Sequence, residues 1–443
     1  MPSSTAIKAT RRGFLKASTA AIPYALAGKR SLADTTPNER VRVGCIGVGG
    51  HGRWDATQHA RLGDVVAVCD VDTSHLDRIE ADANINRVGM DRYVDYRRLL
   101  DRTDIDVVSI TTPDHWHVKM AIEALEAGKH VFCQKPLTLT LEQNQLVRRA
   151  SAKHSDRVFM VGTQQRADGD RFLRAVNLVR KGLLGPIKKV TVGIDGGTVG
   201  GPFAATEAPS HFDWDRWLGP APLVEYRRER THGSFRWWYE YSGGKFTDWG
   251  AHHVDIATWA LDKHRAGCGP TRIDGSDAKH PVELRDGQPV VDDHFNTSHD
   301  FAVSCFFEDG VQMDITSRAD NGILFEGERG RLFVNRGRIA GTPIEEEWDR
   351  ELWTDDGRRA LFKGKPFEGH KENFYRCIRE GGEPVSDVVS HTQMLNTCHL
   401  AVIAARLGQT IQWDPVNETI VGNPTASAMM SRPARAEYAL PVV

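Results

Sequence analysis

Residues Val41 to Gly52 read V-R-V-G-C-I-G-V-G-G-H-G, a short apolar run that opens directly into closely spaced glycines. A buried strand that breaks at Gly47, Gly49 and Gly52 and continues as a helix is the context in which G-x-G-x-x-G holds a dinucleotide. The first glycine permits the tight turn, the second lets backbone approach a pyrophosphate, and the third lets helix and strand pack closely. Gly50 lies in the same turn, and the pyrophosphate meets the free N–H groups of the helix N-terminus. Asp70 ends the next apolar run, residues 65–70. A carboxylate there accepts hydrogen bonds from ribose hydroxyls and repels a 2′-phosphate, so NAD is expected over NADP.

Apolar runs recur downstream at residues 107–111, 130–133 and 158–161, separated by helix-like stretches such as 118–127. Short buried runs alternating with helices predict a parallel sheet wrapped by helices, a Rossmann domain over residues 41–163. Beyond it, residues 187–194, 299–307, 311–317, 323–328 and 331–334 are longer, partly alternating, and broken by turns such as E-D-G and E-R-G. They predict antiparallel strands with one covered face, hence a second α/β domain over residues 164–415. Helical stretches follow at 370–379 and 391–407, and residues 416–443 read as a polar tail of low order.

Upstream, Thr10 to Lys16 read T-R-R-G-F-L-K, followed by the apolar stretch 17–27, which is interrupted by Pro23. This is the form of a twin-arginine signal peptide, assigned to residues 1–33, with cleavage after Ala27 or Ala33. The expected location is periplasmic or otherwise exported, and the expected partner is the twin-arginine machinery. That route carries folded proteins, so a dinucleotide seated in the cytoplasm would leave with the chain and stay bound.

The 443 residues exceed one ordinary core, and 40% hydrophobic with 26% charged residues is the balance of a globular protein. A net charge of −2 with both signs interspersed leaves no footprint for nucleic acid. No apolar run is long enough to span a bilayer, so an integral membrane protein is not expected. Seven cysteines without C-x-x-C or a His/Cys cluster at zinc spacing argue for structural thiols and no metal.

Three segments carry candidate chemistry. Thr111 to His117, T-T-P-D-H-W-H, lies at the carboxyl end of a core strand, where open sheets bind ligands. Thr111, Thr112 and Pro113 would flank the dinucleotide, with Trp116 and His117 at its nicotinamide end; helix-start histidines are the alternative. In Cys133-Gln134-Lys135-Pro136, the proline fixes a turn that holds Gln134 and Lys135 at the sheet edge. Lys135 would there exchange a proton with an alcohol, or else be a solvated turn lysine. In Gly243 to Trp259, a helix from Asp248 would place His252 one turn on, so that the carboxylate orients an imidazole that moves a proton. Metal ligation by His252, His253 and Asp255 is the rival reading. Consecutive helical positions point about 100° apart, which disfavours it. Trp237 and Trp238, beside Arg236 and Tyr241 in a glycine-bounded loop, suit the C–H face of a sugar, or pack the loop. Arg166 and His253 complete the candidate substrate set.

The chain resembles the Gfo/Idh/MocA oxidoreductases, the glucose–fructose oxidoreductase and inositol dehydrogenase group, and particularly a twin-arginine-exported branch. The resemblance covers residues 40–415 and rests on the glycine fingerprint, T-P-D-H-W-H, Lys135-Pro136, D-W-G-A-H-H-V-D and the C-terminal H-K-E-N-F. It implies catalytic roles for Lys135, Asp248 and His252. It also implies a C-terminal domain with a large, open, mainly antiparallel sheet used for homodimers or homotetramers. One departure stands out: Gln134 occupies the position of the family's usual glutamate, where an amide can still hydrogen-bond. The expected activity is NAD-dependent oxidation of a secondary hydroxyl on a sugar, sugar alcohol or glycoside. Two alternatives are redox-neutral glycoside cleavage by oxidation, elimination and re-reduction, and a non-catalytic carbohydrate-binding or sensor protein. The last requires broken catalytic positions, and Lys135, Asp248 and His252 are all present.

Overall fold

The computed structural model describes residues 40–443. The signal-peptide reading of residues 1–33 lies outside them. Six strands, β1 (Arg42–Ile46), β2 (Asp64–Cys69), β3 (Asp91–Tyr93), β4 (Val107–Ile110), β5 (His130–Gln134) and β6 (Phe159–Gly162), form one sheet. It is parallel throughout, in the order β3-β2-β1-β4-β5-β6. The chain leaves β1 in both directions, to β2 and to β4, which opens a crevice beyond their carboxyl ends. The short edge strand β3 escaped the sequence reading because D-R-Y offers no apolar run.

A second sheet has nine strands. In chain order they are β7 (Ile187–Gly193), β8 (Arg272–Lys279), then, after a small hairpin of β9 (Leu284–Arg285) and β10 (Gln288–Pro289), β11 (Asp300–Phe306), β12 (Gln312–Thr316), β13 (Gly322–Gly327), β14 (Arg331–Val334), β15 (Ile339–Ala340), β16 (Thr410–Asp414) and β17 (Thr419–Val421). Their order is β15-β14-β13-β7-β12-β11-β8-β16-β17, with β7 and β12 the single parallel pair. Burial alternates along β11, so Phe301, Val303 and Cys305 face the core and their neighbours face outward. β8 is internal yet nearly unreadable in sequence, because R-I-D-G-S-D-A-K buries little apolar surface. Gly275 stands where a Cβ would lie 2.2 Å from the backbone of Ala404, so the strand gives up a side chain to let a helix rest on it.

That helix, Val388–Leu407, is buried along almost its whole length, and its buried polar side chains, such as Asn396 and Arg406, bond to groups on the elements around it. It lies on β8 and also touches the helix Leu141–Lys153 of the first sheet, where Asn144 donates to Asn396 at 2.8 Å. It thus joins the two sheets' cores. Among the described residues, no helix is long and apolar enough to cross a membrane.

The segment 416–443 corrects the reading of a low-order tail. It supplies β17 and the helix Pro424–Ala428, then runs back to the first sheet. Arg435 bonds Gly219 O at 2.7 Å, Lys119 Nζ donates to Ala439 O at 2.7 Å, and buried Tyr438 packs edge-on against Trp116. Its polar side chains face partners from distant parts of the chain, which local composition cannot reveal.

The tryptophan-rich insertion, residues 211–261 between β7 and β8, has a core of its own built from Phe212, Trp217, Leu218, Phe235, Trp238 and Tyr241, joined by Phe295 from beyond β10. It docks on the first sheet through a bridge between Asp72 and Phe212. Hydrogen bonds from Thr73 N to His211 O and from Asp213 N to Val71 O, each 2.9 Å, reinforce it.

Candidate active site

The crevice at β1 and β4 is the floor of a cavity of about 790 Å³ that runs from the glycine turn and Asp70 at one end to Lys135, Arg236, Asp248 and His252 at the other. Every residue assigned above to the dinucleotide lines it, as does Trp116. The turn is built for backbone approach. Gly47 has φ +78°, and a Cβ on it would meet Thr111 O at 2.6 Å; a Cβ on Gly52 would lie 1.8 Å from Gly47 O. Gly50 opens the helix Gly50–Leu62 with empty space where its Cβ would be, and among the described residues no side chain caps that helix, so its first N–H groups remain available. Thr112 Oγ1 is buried beside this turn without a partner among the described residues. Asp70 sits at the end of β2, its carboxylate receiving Val48 N at 2.8 Å and Asp72 N at 2.9 Å. A free helix N-terminus, an orphaned hydroxyl and a placed carboxylate together fit a dinucleotide.

At the other end, Lys135 follows β5 and its Nζ bonds both Asp248 O (2.9 Å) and Asp248 Oδ1 (3.0 Å). Arg236 Nε lies 3.3 Å from the same oxygen. Burial raises the Asp248 carboxyl pKa, but Lys135 and Arg236 outweigh it and bring it down to about 2. This corrects one expectation: Asp248 holds Lys135 and Arg236, not the ring of His252. The helix is broken between Lys245–Asp248 and Gly250–Ala260, so the one-turn spacing does not align the two side chains. His252 is buried, its Nδ1 has no partner among the described residues, and Nε2 is the nitrogen left to the cavity. Burial and then the charge of Lys135 hold its pKa well below the usual imidazole value, so it is a free base at neutral pH.

Several assigned residues have other work. His117 places Nδ1 2.7 Å from Pro136 O and Nε2 2.8 Å from Thr112 O, tying the two turns together. Burial brings its pKa down to about 4, so one of these contacts lacks a proton at neutral pH. Arg166 does not reach the cavity; it is buried in a two-pronged pair with Asp255, at 2.6 and 2.7 Å. His253 is buried with Nε2 on Asn321 at 2.9 Å. Trp238 is fully buried beneath the Arg230 guanidinium, 3.9 Å from its ring centre, and Tyr241 packs on Trp217. Trp237 lies beside Lys245, outside the cavity lining. Trp238 and Tyr241 fill the insertion's core and Trp237 packs against it.

Two features were missed. Asp114, within T-P-D-H-W-H, is buried in the cavity wall and accepts from Ser242 Oγ at 2.8 Å. Burial, opposed by Arg236, pushes its pKa up to about 7, so it holds a proton for much of the time at neutral pH. The second is a buried network behind the cofactor turn. Asp55 pairs with Lys371 at 2.6 Å and accepts from Thr111 Oγ1 at 2.9 Å and Gln134 Nε2 at 2.6 Å. Gln134 is therefore an amide because it faces a carboxylate. Gln134→Glu would set a second carboxylate against Asp55, raising the pKa of one of them and costing about 1–3 kcal/mol at neutral pH. A raised folded-state pKa makes that penalty largest above it and removes it as the pH falls through it. Urea unfolding should show a larger deficit at pH 8 than at pH 5.

The oxidoreductase family model for the NAD-binding Rossmann fold, GFO_IDH_MocA, matches residues 41–163, and the model for the same family's C-terminal alpha/beta domain matches residues 174–336. The chain belongs to the Gfo/Idh/MocA family. Its cofactor is NAD, in keeping with the cradle above. Among solved members, the chain is similar in fold to the WlbA dehydrogenase of Bordetella pertussis in complex with NADH and UDP-GlcNAcA. The TM-score is 0.57 at 20% identity, over 84% of this chain and 98% of that one. It is likewise similar to scyllo-inositol dehydrogenase of Lactobacillus casei with bound NAD(H) and scyllo-inositol, with TM-score 0.56 at 20% identity over 84% and 99%. In sequence it is 38% identical over 174 residues to a glycosyl hydrolase family 109 protein of Shewanella sp. strain MR-4. It is 36% identical over 174 residues to the alpha-N-acetylgalactosaminidase of Shewanella oneidensis. Each match spans 37% of this chain and 37% of the relative.

Proposed function

We propose that the protein is an NAD-dependent oxidoreductase that acts on a secondary hydroxyl of a sugar, sugar alcohol or glycoside and keeps its NAD bound. The observation that carries this reading is the meeting of the Lys135–Asp248 pair and neutral His252 at one end of the cavity whose other end is the glycine cradle. NAD, when bound, supplies the hydride acceptor. His252, a free base at neutral pH, takes the hydroxyl proton at Nε2. Lys135, anchored by Asp248, donates a hydrogen bond to the same oxygen and offsets the negative charge that develops on it. Asp114 holds a further proton in the cavity wall. The insertion and the C-terminal segment contribute Trp217, Phe235 and Tyr438 to the cavity lining.

Redox-neutral glycoside cleavage is the second reading, and the glycosyl hydrolase family 109 relatives favour it. One incubation separates them: an aryl α-N-acetylgalactosaminide with the protein and no added NAD. Release of aglycone over many turnovers establishes cleavage, whereas a keto product limited to one equivalent of bound NAD establishes simple oxidation. Mass spectrometry of undialysed protein should find one NAD per chain; its absence after native purification overturns retention.

Retention suits export, since little free nicotinamide is available beyond the inner membrane. The reading also includes a twin-arginine signal peptide over residues 1–33, a periplasmic or otherwise exported location, and a homodimer or homotetramer formed by the second domain. Replacing Arg11 and Arg12 with Lys should strand folded, NAD-containing protein in the cytoplasm. Fractionation showing unchanged export would refute the signal.

A further inference from the structure

At the Asp70 end of the cavity, β2 and the helix Thr73–Glu80 meet the insertion, and three side chains point at one spot. Asp72 is buried at the helix N-cap, where its Oδ1 accepts from Ser74 N at 2.9 Å and Ser74 Oγ at 2.6 Å. Its Oδ2 is left facing His75 Nε2 at 3.7 Å and His232 Nε2 at 3.5 Å. The three ligand atoms all lie within 4.8 Å of one another. These gaps are too long for hydrogen bonds. They are near the spacing of roughly 3.3 Å that bonds of about 2.0–2.1 Å impose on neighbouring ligands around tetrahedral zinc.

The surroundings prepare the ligands. His75 Nδ1 lies 3.1 Å from Asp70 Oδ2. An ionised carboxylate only accepts, so Nδ1 carries a hydrogen, and Nε2 is the nitrogen that faces Asp72 and His232 and is open to a metal. A carboxylate behind an imidazole fixes the tautomer and raises the ligand's basicity at metal centres. His232 holds φ +47°, a left-handed conformation uncommon for a residue with a side chain, and this turns its ring toward the group. Asp70 and Asp72 supply negative charge that the two imidazoles, when neutral, do not cancel.

We propose that Asp72, His75 and His232 form a binding site for a borderline divalent transition cation, best matched by Zn²⁺, with its fourth position left to water. Two ligands come from the first sheet's β2 corner and one from the insertion, more than 150 positions away in sequence. Ligand spacing along the chain could not have revealed it. A bound ion would clip the insertion to the corner that holds Asp70, adding to the bridge at Phe212, and would slow cofactor departure. That consequence rests on the cofactor reading; the site itself does not.

The test uses the full protein, stripped with chelator and titrated with Zn²⁺ against a chromophoric competitor. The expected result is one tight equivalent per chain, weakened at least tenfold in His232→Ala and in Asp72→Asn, a change that keeps an N-cap. Zn²⁺ should raise the thermal midpoint of the wild type and not of the variants, whose metal-free midpoints should match it. Absence of that equivalent in the wild type, or its retention by His232→Ala, overturns the site and leaves an ion pair. NAD release should slow with Zn²⁺ in the wild type only. Equal release rates with Zn²⁺ bound overturn the clip, whereas failure of every form to hold NAD counts against the cofactor reading.

Discussion

Replacing His252 with Ala, or Lys135 with Met, should lower turnover by a factor on the order of 10²–10⁴ while NAD content stays near that of the wild type. The separation follows from the cavity's two ends: the cofactor cradle is made by the glycine turn and Asp70, and the proton-transfer groups lie at the opposite end. The pH dependence distinguishes His252 from an ordinary histidine. Burial and Lys135 keep it unprotonated well below the usual imidazole range, so activity limited by this base should persist as pH falls through 6.5. Retention of more than about a tenth of wild-type turnover by His252→Ala, short of the expected loss, removes it from the mechanism. Asp114 would then be the strongest replacement, because His253 is tied to Asn321 outside the cavity lining and His117 is held between two carbonyls. Assay of both variants under saturating glycoside, with bound NAD quantified in parallel, decides the matter.

Arg166→Met should cost about 3–5 kcal/mol of stability and leave the Michaelis constant unchanged, the opposite of what a substrate-binding arginine would show. Arg166 joins three elements. It pairs with Asp255 through both prongs and donates to Val385 O and Ser390 Oγ, each at 2.9 Å. Removing the cation strands a buried carboxylate whose pKa burial already raises against the pull of Arg166. Pairing Arg166→Met with Asp255→Leu removes both charges and should restore much of the loss, since a buried ion pair replaced by apolar groups is often close to neutral. Denaturant unfolding of the two variants checks this. A stability change under about 1 kcal/mol, together with a large rise in KM, would return Arg166 to the substrate.

The alternation of apolar runs and helices from Val41 to Gly162 was enough for a parallel sheet, because every strand there except the edge strand β3 is largely buried and reads as an apolar stretch. Gly47, Gly49, Gly52 and Asp70 were legible for a different reason: their spacing after the first two strands follows from the turn a dinucleotide needs, although the backbone that crowds Gly47 comes from Thr111. Lys135 was legible as the residue that leaves a core strand at its ligand-binding end. Asp248 and His252 were half legible. Their spacing identified a cluster, while the break at Trp249 and the approach of Lys135 and Arg236 decided which side chains meet. The partner of Gln134 came from elsewhere again, since Asp55 is itself paired with Lys371 from the far end of the chain. Trp238 and Tyr241 read as a sugar platform because an aromatic ring carries the same sequence signal whether it faces ligand or core. β8 and the segment 416–443 were opaque because their stability comes from a helix laid on Gly275 and from Arg435 and Tyr438 meeting distant surfaces. Periodicity and turn chemistry are local properties, and the sequence by itself determined the apolar strands of the first sheet and the glycine turn that follows β1. Charge pairing and burial depend on residues brought together across hundreds of positions, so only the tertiary structure decided the partners of Asp248, the place of Arg166 and the meeting of Asp72 with His75 and His232.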